Sequence, residues 1–103
     1  MKYAVDFDGV IIDHQDLPTR KDWWRDEPMP NALNVIKHWL SKGIDVYICT
    51  AREPHEWDRV ADWLSQHGFP QLRITNIKEK GTKVLIDDKC YRFTNWMDIV
   101  KLF

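Results

Sequence analysis

The alternation of short apolar runs with helix-like segments constrains the fold of this chain more than any other sequence feature. Four short apolar runs are typical of strands, and the second and fourth alternate little between apolar and polar residues, as strands buried on both faces do. They cover residues 3–6, 45–49, 72–75 and 83–86. Helical segments separate the first three runs, so the order predicts an α/β fold: a three-layer, Rossmann-like parallel sheet with helices on both faces.

Three segments carry apolar residues at helical spacing. The first follows Pro30 and ends near Gly43, and the second follows Pro54 and ends near Gly68. Proline suits a first helical turn, and glycine suits the position just past the last turn. A third helix is predicted from about Asn95, as N-cap, to residue 102. We expect its apolar side chains to be buried, namely Trp96, Ile99, Val100 and Phe103.

Length and charge limit the classes of protein to which this chain can belong. The 103 residues suit one compact domain, residues 1–103. The formal net charge of −1 gives no support to a nucleic-acid binder that neutralises many phosphates. No apolar stretch approaches membrane-spanning length. The first residues lack an apolar signal region, so we expect a cytoplasmic protein.

The segment between the first run and the first helix matches no regular element. Residues 9–29 form a loop of a length that is uncommon in a compact domain unless it works as a lid or binding loop. We therefore expect a flap there. Trp23 and Trp24 lie in this loop, and three roles stay open for them: lining the site mouth, anchoring the loop or forming a self-association patch. Four other tryptophans are expected in the core: Trp39, Trp57, Trp63 and Trp96.

Polar residues follow the apolar runs where the predicted strands end. Right-handed crossovers bring the carboxyl ends of parallel strands to one sheet edge, so these residues should converge. They are Asp6 and Asp8 at the end of the first run, Thr50 after the second, Lys78 after the third, and Asp87 and Asp88 after the fourth, while Gly9 permits the tight turn that follows Asp8. Four carboxylates in one crevice repel each other unless a cation lies between them, and hard oxygen ligands suit Mg²⁺. The set predicts a site that binds and displaces a phosphoryl group.

With these residues in this order, the sequence resembles the haloacid dehalogenase-like superfamily, specifically its small capless phosphatase-type members. That family has a strand ending in Asp-x-Asp, a strand ending in Thr or Ser, a lysine, and a strand ending in an acidic pair. The counterparts here are residues 3–10, residues 46–52, Lys78 and residues 84–88, which together span nearly the whole chain. Val10 departs from the threonine that the family often has there, but that hydroxyl is not the nucleophile.

The resemblance implies a magnesium-dependent phosphohydrolase that acts on a phosphate monoester. Asp6 is expected to attack phosphorus in line and to form an aspartyl-phosphate intermediate. Asp8 is expected to protonate the leaving oxygen and then to accept a proton from the hydrolytic water. Lys78 is expected to neutralise charge on Asp6 and on the phosphoryl oxygens.

The resemblance also implies which residues bind phosphate and metal. The Thr50 hydroxyl and nearby backbone N–H groups are expected to hold the phosphate. The phosphate-binding set is Gly9, Thr50, Ala51 and Arg52. Mg²⁺ is expected on Asp6, on the main-chain carbonyl of Asp8 and on Asp87, with Asp88 one shell further out.

Two assignments keep alternatives at this point. Lys80 and Lys83 compete with Lys78 as the catalytic lysine, although Lys83 would open the fourth strand at the wrong edge of the sheet. Arg52 either contacts the phosphate or leaving group, or pairs with Glu53 or Glu56 on the surface.

The spacing of the motifs leaves no room for a folded cap domain, so the resemblance implies an open site. An open site suits a phosphorylated protein, a nucleic-acid end, or a small phosphate ester enclosed by a partner subunit. A homo-oligomer through Trp23 and Trp24 is one hypothesis, and no membrane partner is expected.

Two other classes of protein share parts of this pattern. A phosphoacceptor signalling domain also uses a doubly wound sheet, but its acidic pair belongs on the first strand, whereas here the pair comes last. A non-catalytic module of the same fold that binds divalent metal and phosphate remains the alternative. The intact pair of Asp6 and Asp8 favours the enzyme.

Overall fold

A parallel four-stranded sheet forms the centre of the structure, a computed structural model that describes residues 1–13, 22–90 and 92–103. The strands are β1 (Lys2–Val5), β2 (Asp45–Cys49), β3 (Ile74–Thr75) and β4 (Thr82–Ile86). Their order across the sheet is β3-β2-β1-β4, and every neighbouring pair is parallel. The predicted α/β, Rossmann-like fold is confirmed, since each strand lies within two residues of its predicted bounds.

Three α-helices follow the predicted order. They are α1 (Ala32–Ser41), α2 (Trp57–Gln66) and α3 (Trp96–Leu102), with 3₁₀ turns at Trp23–Arg25 and Pro54–Glu56. Pro54 begins the turn that leads into α2, and α1 and α2 end just before Gly43 and Gly68, as the sequence predicts. Asn95 caps α3, because its side chain accepts a hydrogen bond from the Asp98 N–H at 2.9 Å.

One hydrophobic core joins the sheet to α1 and α2. Val5 and Ile48 from the strands pack in the same buried cluster as Ile36 of α1 and Trp63 of α2. The chain steps from β1 to β2 to β3 in one direction across the sheet. Right-handed crossovers therefore place α1 and α2 over the same face, whereas the sequence predicted helices on both faces.

Helix α3 is where the burial prediction is wrong. Trp96, Val100 and Phe103 are 71%, 69% and 87% exposed, and no side chain of α3 is buried against the described residues. The apolar spacing in the sequence predicted the helix and its cap correctly. It could not show that, of the four side chains, Ile99 is half-buried and the other three are exposed. Among the other tryptophans, Trp63 is buried as predicted, and Trp39 and Trp57 are half-buried.

The two ends of the 9–29 segment lie side by side. Ile12 bridges to Pro28, the Asp13 N–H donates to the Glu27 carbonyl at 2.8 Å, and Ile11 and Ile12 are buried. Residues 14–21, the middle of the predicted flap, lie outside the described residues, so the flap stays a prediction. Within the described ranges, no helix has the length and apolar content needed to cross a bilayer.

Candidate active site

Three carboxylates meet at the carboxyl edge of the sheet. Asp6 directly follows β1 and Asp87 directly follows β4, and the register pairs Val5 with Ile86, so the two aspartates leave neighbouring strands side by side. The Asp6 N–H donates to the Ile86 carbonyl at 2.9 Å. One oxygen each from Asp6, Asp87 and Asp88 lies within 4.8 Å of the others. The convergence expected from the strand order is present.

The crowding of these acids changes the ionisation of Asp6. Partial burial is the largest cause that raises the pKa of Asp6 from 3.8 to about 6, and the carboxylates of Asp87, Asp8 and Asp88 act in the same direction. A hydrogen bond from the Phe7 N–H to Asp6 Oδ1, at 2.7 Å, opposes these effects. A carboxylate that charges only near neutral pH is well placed to gain from a bound cation.

Gly9 packs tightly against the acid pair. Its φ of 77° lies in the left-handed region, and a Cβ at this position would lie 2.5 Å from Asp88 Oδ2. Both the turn and the close approach therefore require glycine. Gly9, a residue of the predicted phosphate site, therefore also packs directly against the Asp88 carboxylate.

Thr50 lies where the sequence places it, at the end of β2. It is buried, and its N–H donates to the Thr75 carbonyl at 2.9 Å. Its Oγ1 accepts the Arg52 N–H at 3.1 Å, which closes a tight turn over the exposed Ala51. The threonine hydroxyl therefore organises the loop that carries Ala51 and Arg52.

Arg52 contacts two carboxylates. Its Nε and one terminal nitrogen donate to the two oxygens of Asp8 at 2.9 and 2.8 Å, and its other terminal nitrogen donates to Glu56 Oε1 at 2.9 Å. Only 13% of the side chain is exposed. The pairing with Glu56 is one of the two predicted alternatives, whereas Glu53 instead lies near His55, at 3.5 Å. The fork onto Asp8 was not predicted.

Trp23 covers the guanidinium of Arg52. The ring lies 4.2 Å from the Arg52 Cζ, and it packs edge-on against Phe7 with a centroid separation of 5.5 Å. Trp23 is only 5% exposed, so it anchors the loop and is not available as an association patch. Trp24 is more exposed, and Arg59 stacks on its ring at 4.1 Å.

Lys78 follows β3 on an exposed loop. Burial and the carboxylates of Asp6 and Asp87 raise the pKa of the Cys49 thiol, and the Lys78 ammonium opposes them. All three charges therefore act on the same end of β2. Within the described ranges, no ion pair shorter than 4.0 Å joins Lys78 to Asp6. Lys80 lies at the opposite edge, where its carbonyl accepts from Lys2 at the start of β1.

The acid cluster fits a divalent cation of the Mg²⁺ type. The donors are all carboxylate oxygens, which Mg²⁺ prefers, and partial burial together with the neighbouring carboxylates raises the pKa of Asp6, which a bound cation would offset. The Asp8 carboxylate is not part of this cluster, because Arg52 holds it. The main-chain carbonyl of Asp8 therefore stays the predicted metal ligand from this residue. Asp88, which the sequence placed one shell further out, has an oxygen within 4.8 Å of oxygens of Asp6 and Asp87.

These features define a haloacid dehalogenase-like fold. Comparison with family models then gives the particular family: residues 4–102 match the model described as PITM 1-3, LNS2 domain. The chain therefore belongs to the LNS2 domain family, whose fold is haloacid dehalogenase-like and phosphatase-type. This assignment supports the superfamily named from the sequence but not a specific small capless phosphatase.

Individual relatives agree with the family. The chain is 43% identical over 45 residues to membrane-associated phosphatidylinositol transfer protein 3 from Mus musculus, over 44% of this chain and 5% of that protein. It is 41% identical over 39 residues to membrane-associated phosphatidylinositol transfer protein 1 from Rattus norvegicus, over 38% of this chain and 3% of that protein. The matched region is thus a small part of these long relatives.

A solved structure supports the fold. The structure of a conserved protein from Bacteroides thetaiotaomicron superposes with a TM-score of 0.65 at 24% identity. The superposition covers 99% of this chain and 88% of the other.

Proposed function

We propose that this chain is a magnesium-dependent phosphohydrolase that cleaves a phosphate monoester through an aspartyl-phosphate on Asp6. The observation that carries the proposal is the convergence of Asp6, Asp87 and Asp88 to within 4.8 Å at the carboxyl edge of the sheet. Three acids placed so closely are costly in a protein that holds no cation there.

Each residue of the edge has a role in this reaction. Asp6 is the nucleophile, and the hydrogen bond from Phe7 N–H fixes one of its oxygens so that the other is free to attack. Asp6, Asp87 and Asp88, with the Asp8 carbonyl, would hold Mg²⁺, which would supply positive charge that favours the ionised acids and the phosphoryl oxygens. The exposed ammonium of Lys78 adds to this charge.

Asp8 is the acid and base of the proposed reaction, and Arg52 sets its position. The bidentate contact fixes the plane of the Asp8 carboxylate at the mouth of the acid cluster. The turn closed by Thr50 holds Arg52 in place and leaves Ala51 exposed beside the edge, where its N–H can meet a phosphate oxygen.

The described part of the chain has no second domain over this edge, so the proposed substrates include bulky phosphate monoesters. The names of the relatives add inositol phospholipids to the classes worth testing. Phosphorylated proteins and nucleic-acid ends belong to the same panel.

The test is phosphate release by the purified chain with Mg²⁺ from p-nitrophenyl phosphate, a phosphopeptide, a 3′-phosphorylated oligonucleotide and phosphatidylinositol 4-phosphate. Turnover that requires Mg²⁺, is lost in Asp6→Asn and is kept in Asp58→Asn supports the proposal. Asp58 is an exposed acid in the first turn of α2 that lies outside the acid cluster, and it serves as the matched control. Turnover that survives in Asp6→Asn would contradict the proposed nucleophile.

A second candidate is a non-catalytic module that binds divalent metal and phosphate. The observation that favours it is the Arg52 fork, which occupies both oxygens of the Asp8 carboxylate. Breaking the two charged hydrogen bonds between Arg52 and Asp8 costs free energy. Binding of the phosphate esters with Mg²⁺, without release of phosphate from any of them, would favour this module.

A further inference from the structure

Tyr47 is a fully buried tyrosine that has no role in the reaction proposed above. It lies in β2 and is 0% exposed. Its neighbours Val46 and Ile48 belong to the core that α1 and α2 cover, so the Tyr47 side chain points to the other face of the sheet. A buried phenol needs hydrogen-bond partners, and those of Tyr47 lie at the end of the connection between β3 and β4.

The Tyr47 hydroxyl belongs to a closed ring of hydrogen bonds around Glu79. The Glu79 N–H donates to Tyr47 Oη at 2.8 Å, and Tyr47 Oη lies 2.6 Å from Thr82 Oγ1. Thr82 Oγ1 in turn donates to the Glu79 carbonyl at 2.7 Å. Since the Thr82 proton is used on Glu79, the Tyr47 hydroxyl donates to Thr82. The ring therefore fixes both the N–H and the carbonyl of Glu79.

Glu79 directly follows Lys78, and the residue before Lys78 is held in a similar way. The Ile77 N–H donates to Thr75 Oγ1 at 3.2 Å, at the end of β3. The Glu79 carboxylate also pairs with Arg73 at 2.9 Å. The backbone of Lys78 therefore lies between two N–H groups that are each bonded to a hydroxyl of the sheet.

This backbone starts beside the acids of the candidate site. The strand register pairs Thr75 with Cys49, and it places Cys49 next to Asp6 at the end of β1. The Lys78 ammonium acts on this end of the sheet, because it opposes the rise in the pKa of the Cys49 thiol that burial and Asp6 cause. Among the described residues, no ion pair occupies the exposed Lys78 ammonium, so it is free to meet an anion.

We infer that Tyr47 is a positioning residue for Lys78: its hydroxyl sets the place from which the ammonium contacts a bound phosphoryl group. The inference rests on the contact with phosphate that is proposed above for Lys78. It does not need phosphate release, because a chain that only binds Mg²⁺ and phosphate would use the same arrangement. Tyr47 itself acts through the backbone of Glu79 and touches neither phosphate nor metal.

The test is the dissociation constant of inorganic phosphate in the presence of saturating Mg²⁺, measured by phosphorus NMR titration. Lys78→Met should raise this constant about tenfold, the effect of one lost hydrogen bond to a charged group. Tyr47→Phe keeps the ring and removes the hydroxyl, and it should raise the constant about threefold to tenfold. Added to Lys78→Met, Tyr47→Phe should change the constant less than about twofold, because residues that act through one contact are not additive.

The dissociation constant of Mg²⁺ separates positioning from a general loss of structure. The acids that would hold the metal are Asp6, Asp87 and Asp88, and none of them bonds to the ring of hydrogen bonds around Glu79. Tyr47→Phe should therefore leave the affinity for Mg²⁺ unchanged while it weakens the affinity for phosphate.

Tyr3→Phe is the matched control. The Tyr3 hydroxyl contacts Met1 Sδ at 3.9 Å, and its ring packs edge-on against Trp39 on the face that α1 covers. This variant should leave both dissociation constants unchanged. If Tyr47→Phe does not fold, as judged by circular dichroism, Thr82→Val takes its place, because it breaks the same ring from the edge strand β4.

Four results would overturn the inference. One is a phosphate affinity that stays at the parent value in Tyr47→Phe. The second is an equal loss from Tyr47→Phe in the parent chain and in Lys78→Met. The third is a loss of Mg²⁺ affinity as large as the loss of phosphate affinity. The fourth is a parent chain, or a Lys78→Met variant, whose phosphate binding does not depend on Lys78.

The outcome is independent of the assay for hydrolysis. Phosphate release that is lost in Asp6→Asn, together with any of these four results, would keep the proposed hydrolysis and remove the role of Tyr47. The expected changes in phosphate affinity without any release would keep the role of Tyr47 and contradict the hydrolysis.

Discussion

Arg52 holds the carboxylate of Asp8, a residue 44 positions earlier in the chain, through two hydrogen bonds of 2.8 and 2.9 Å. Trp23 covers the guanidinium and Glu56 takes its remaining nitrogen, so the arginine joins the loop after β1, the loop after β2, the start of α2 and the 9–29 segment. The candidate acid of the site is thereby fixed by a residue that itself is nearly buried.

Removing this clamp should impair turnover more than it impairs metal binding. For Arg52→Ala we expect kcat to fall about 10²-fold or more, the usual contribution of a positioned acid and base. Arg52→Lys keeps the charge but loses the fork, so it should recover only part of the rate. The measurement is steady-state kinetics with Mg²⁺.

The matched control for Arg52 is Arg59→Ala. Arg59 also stacks on a tryptophan, Trp24, but at the surface and away from the acids. The Arg59→Ala variant should therefore leave kcat unchanged. Equal losses in the two variants, or full activity in Arg52→Ala, would show that the fork onto Asp8 has no part in the reaction.

The raised pKa of Asp6 predicts how stability changes with pH in metal-free buffer. In the folded chain Asp6 has a pKa of about 6 against 3.8 for the free group, so the folded state binds the extra proton between these values. Stability from this group is therefore full below about pH 4 and is lost as pH rises through 6. Asp6→Asn removes the penalty and should be more stable than the parent at pH 7, by about 1–2 kcal/mol after allowing for the partial exposure of Asp6.

Urea unfolding in EDTA at pH 7 and pH 4 checks this prediction. The advantage of Asp6→Asn should shrink as the pH is lowered, and Asp58→Asn should show no such trend. An Asp6→Asn variant that is less stable than the parent at pH 7 would mean that the acids do not repel each other in the folded chain.

The contact between Gly9 and Asp88 predicts a coupled effect on metal binding. In Gly9→Ala the new methyl group would meet Asp88 Oδ2 at 2.5 Å, so the carboxylate must move. Mg²⁺ at about 100 times its Kd should stabilise the parent by about 2.7 kcal/mol, which raises Tm by several degrees. Gly9→Ala should lose most of that rise.

Gly81→Ala is the control for backbone strain. Gly81 also has a positive φ, 87°, but a Cβ at this position would meet no described atom within 4 Å. It should lower Tm without metal, as Gly9→Ala does, yet keep the full response to Mg²⁺. If both variants lose the rise in Tm with Mg²⁺, then backbone strain, and not the movement of Asp88, would explain the loss in Gly9→Ala.

The frame of the site could be predicted from the sequence because local patterns show where each strand ends, and parallel strands place those ends at one edge. Asp6 and Asp87 end two apolar runs, and parallel pairing of those runs is enough to bring the acids together. Gly43 and Gly68 marked where α1 and α2 end, and Asn95 marked where α3 begins.

The other features of the site and the exposure of α3 depend on contacts between residues far apart in the chain, which no local sequence pattern predicts. The pairing of Arg52 with Asp8 spans 44 residues, and charge alone offered Glu53 and Glu56 as nearer partners. The cover of Arg52 by Trp23 needs the course of the 9–29 loop, which has no periodicity. For α3, the apolar spacing predicts a helix with an apolar face, but it does not show what that face packs against.

The most direct test of the account is to trap the proposed acyl phosphate. The chain is mixed with p-nitrophenyl phosphate and Mg²⁺, quenched in acid and reduced with borohydride, which converts an aspartyl-phosphate to homoserine. Peptide mass spectrometry should find homoserine at residue 6 in the parent chain and in Asp58→Asn, and none when Mg²⁺ is omitted. Release of phosphate with residue 6 still unmodified, or homoserine at residue 87 or 88 instead, would contradict the account.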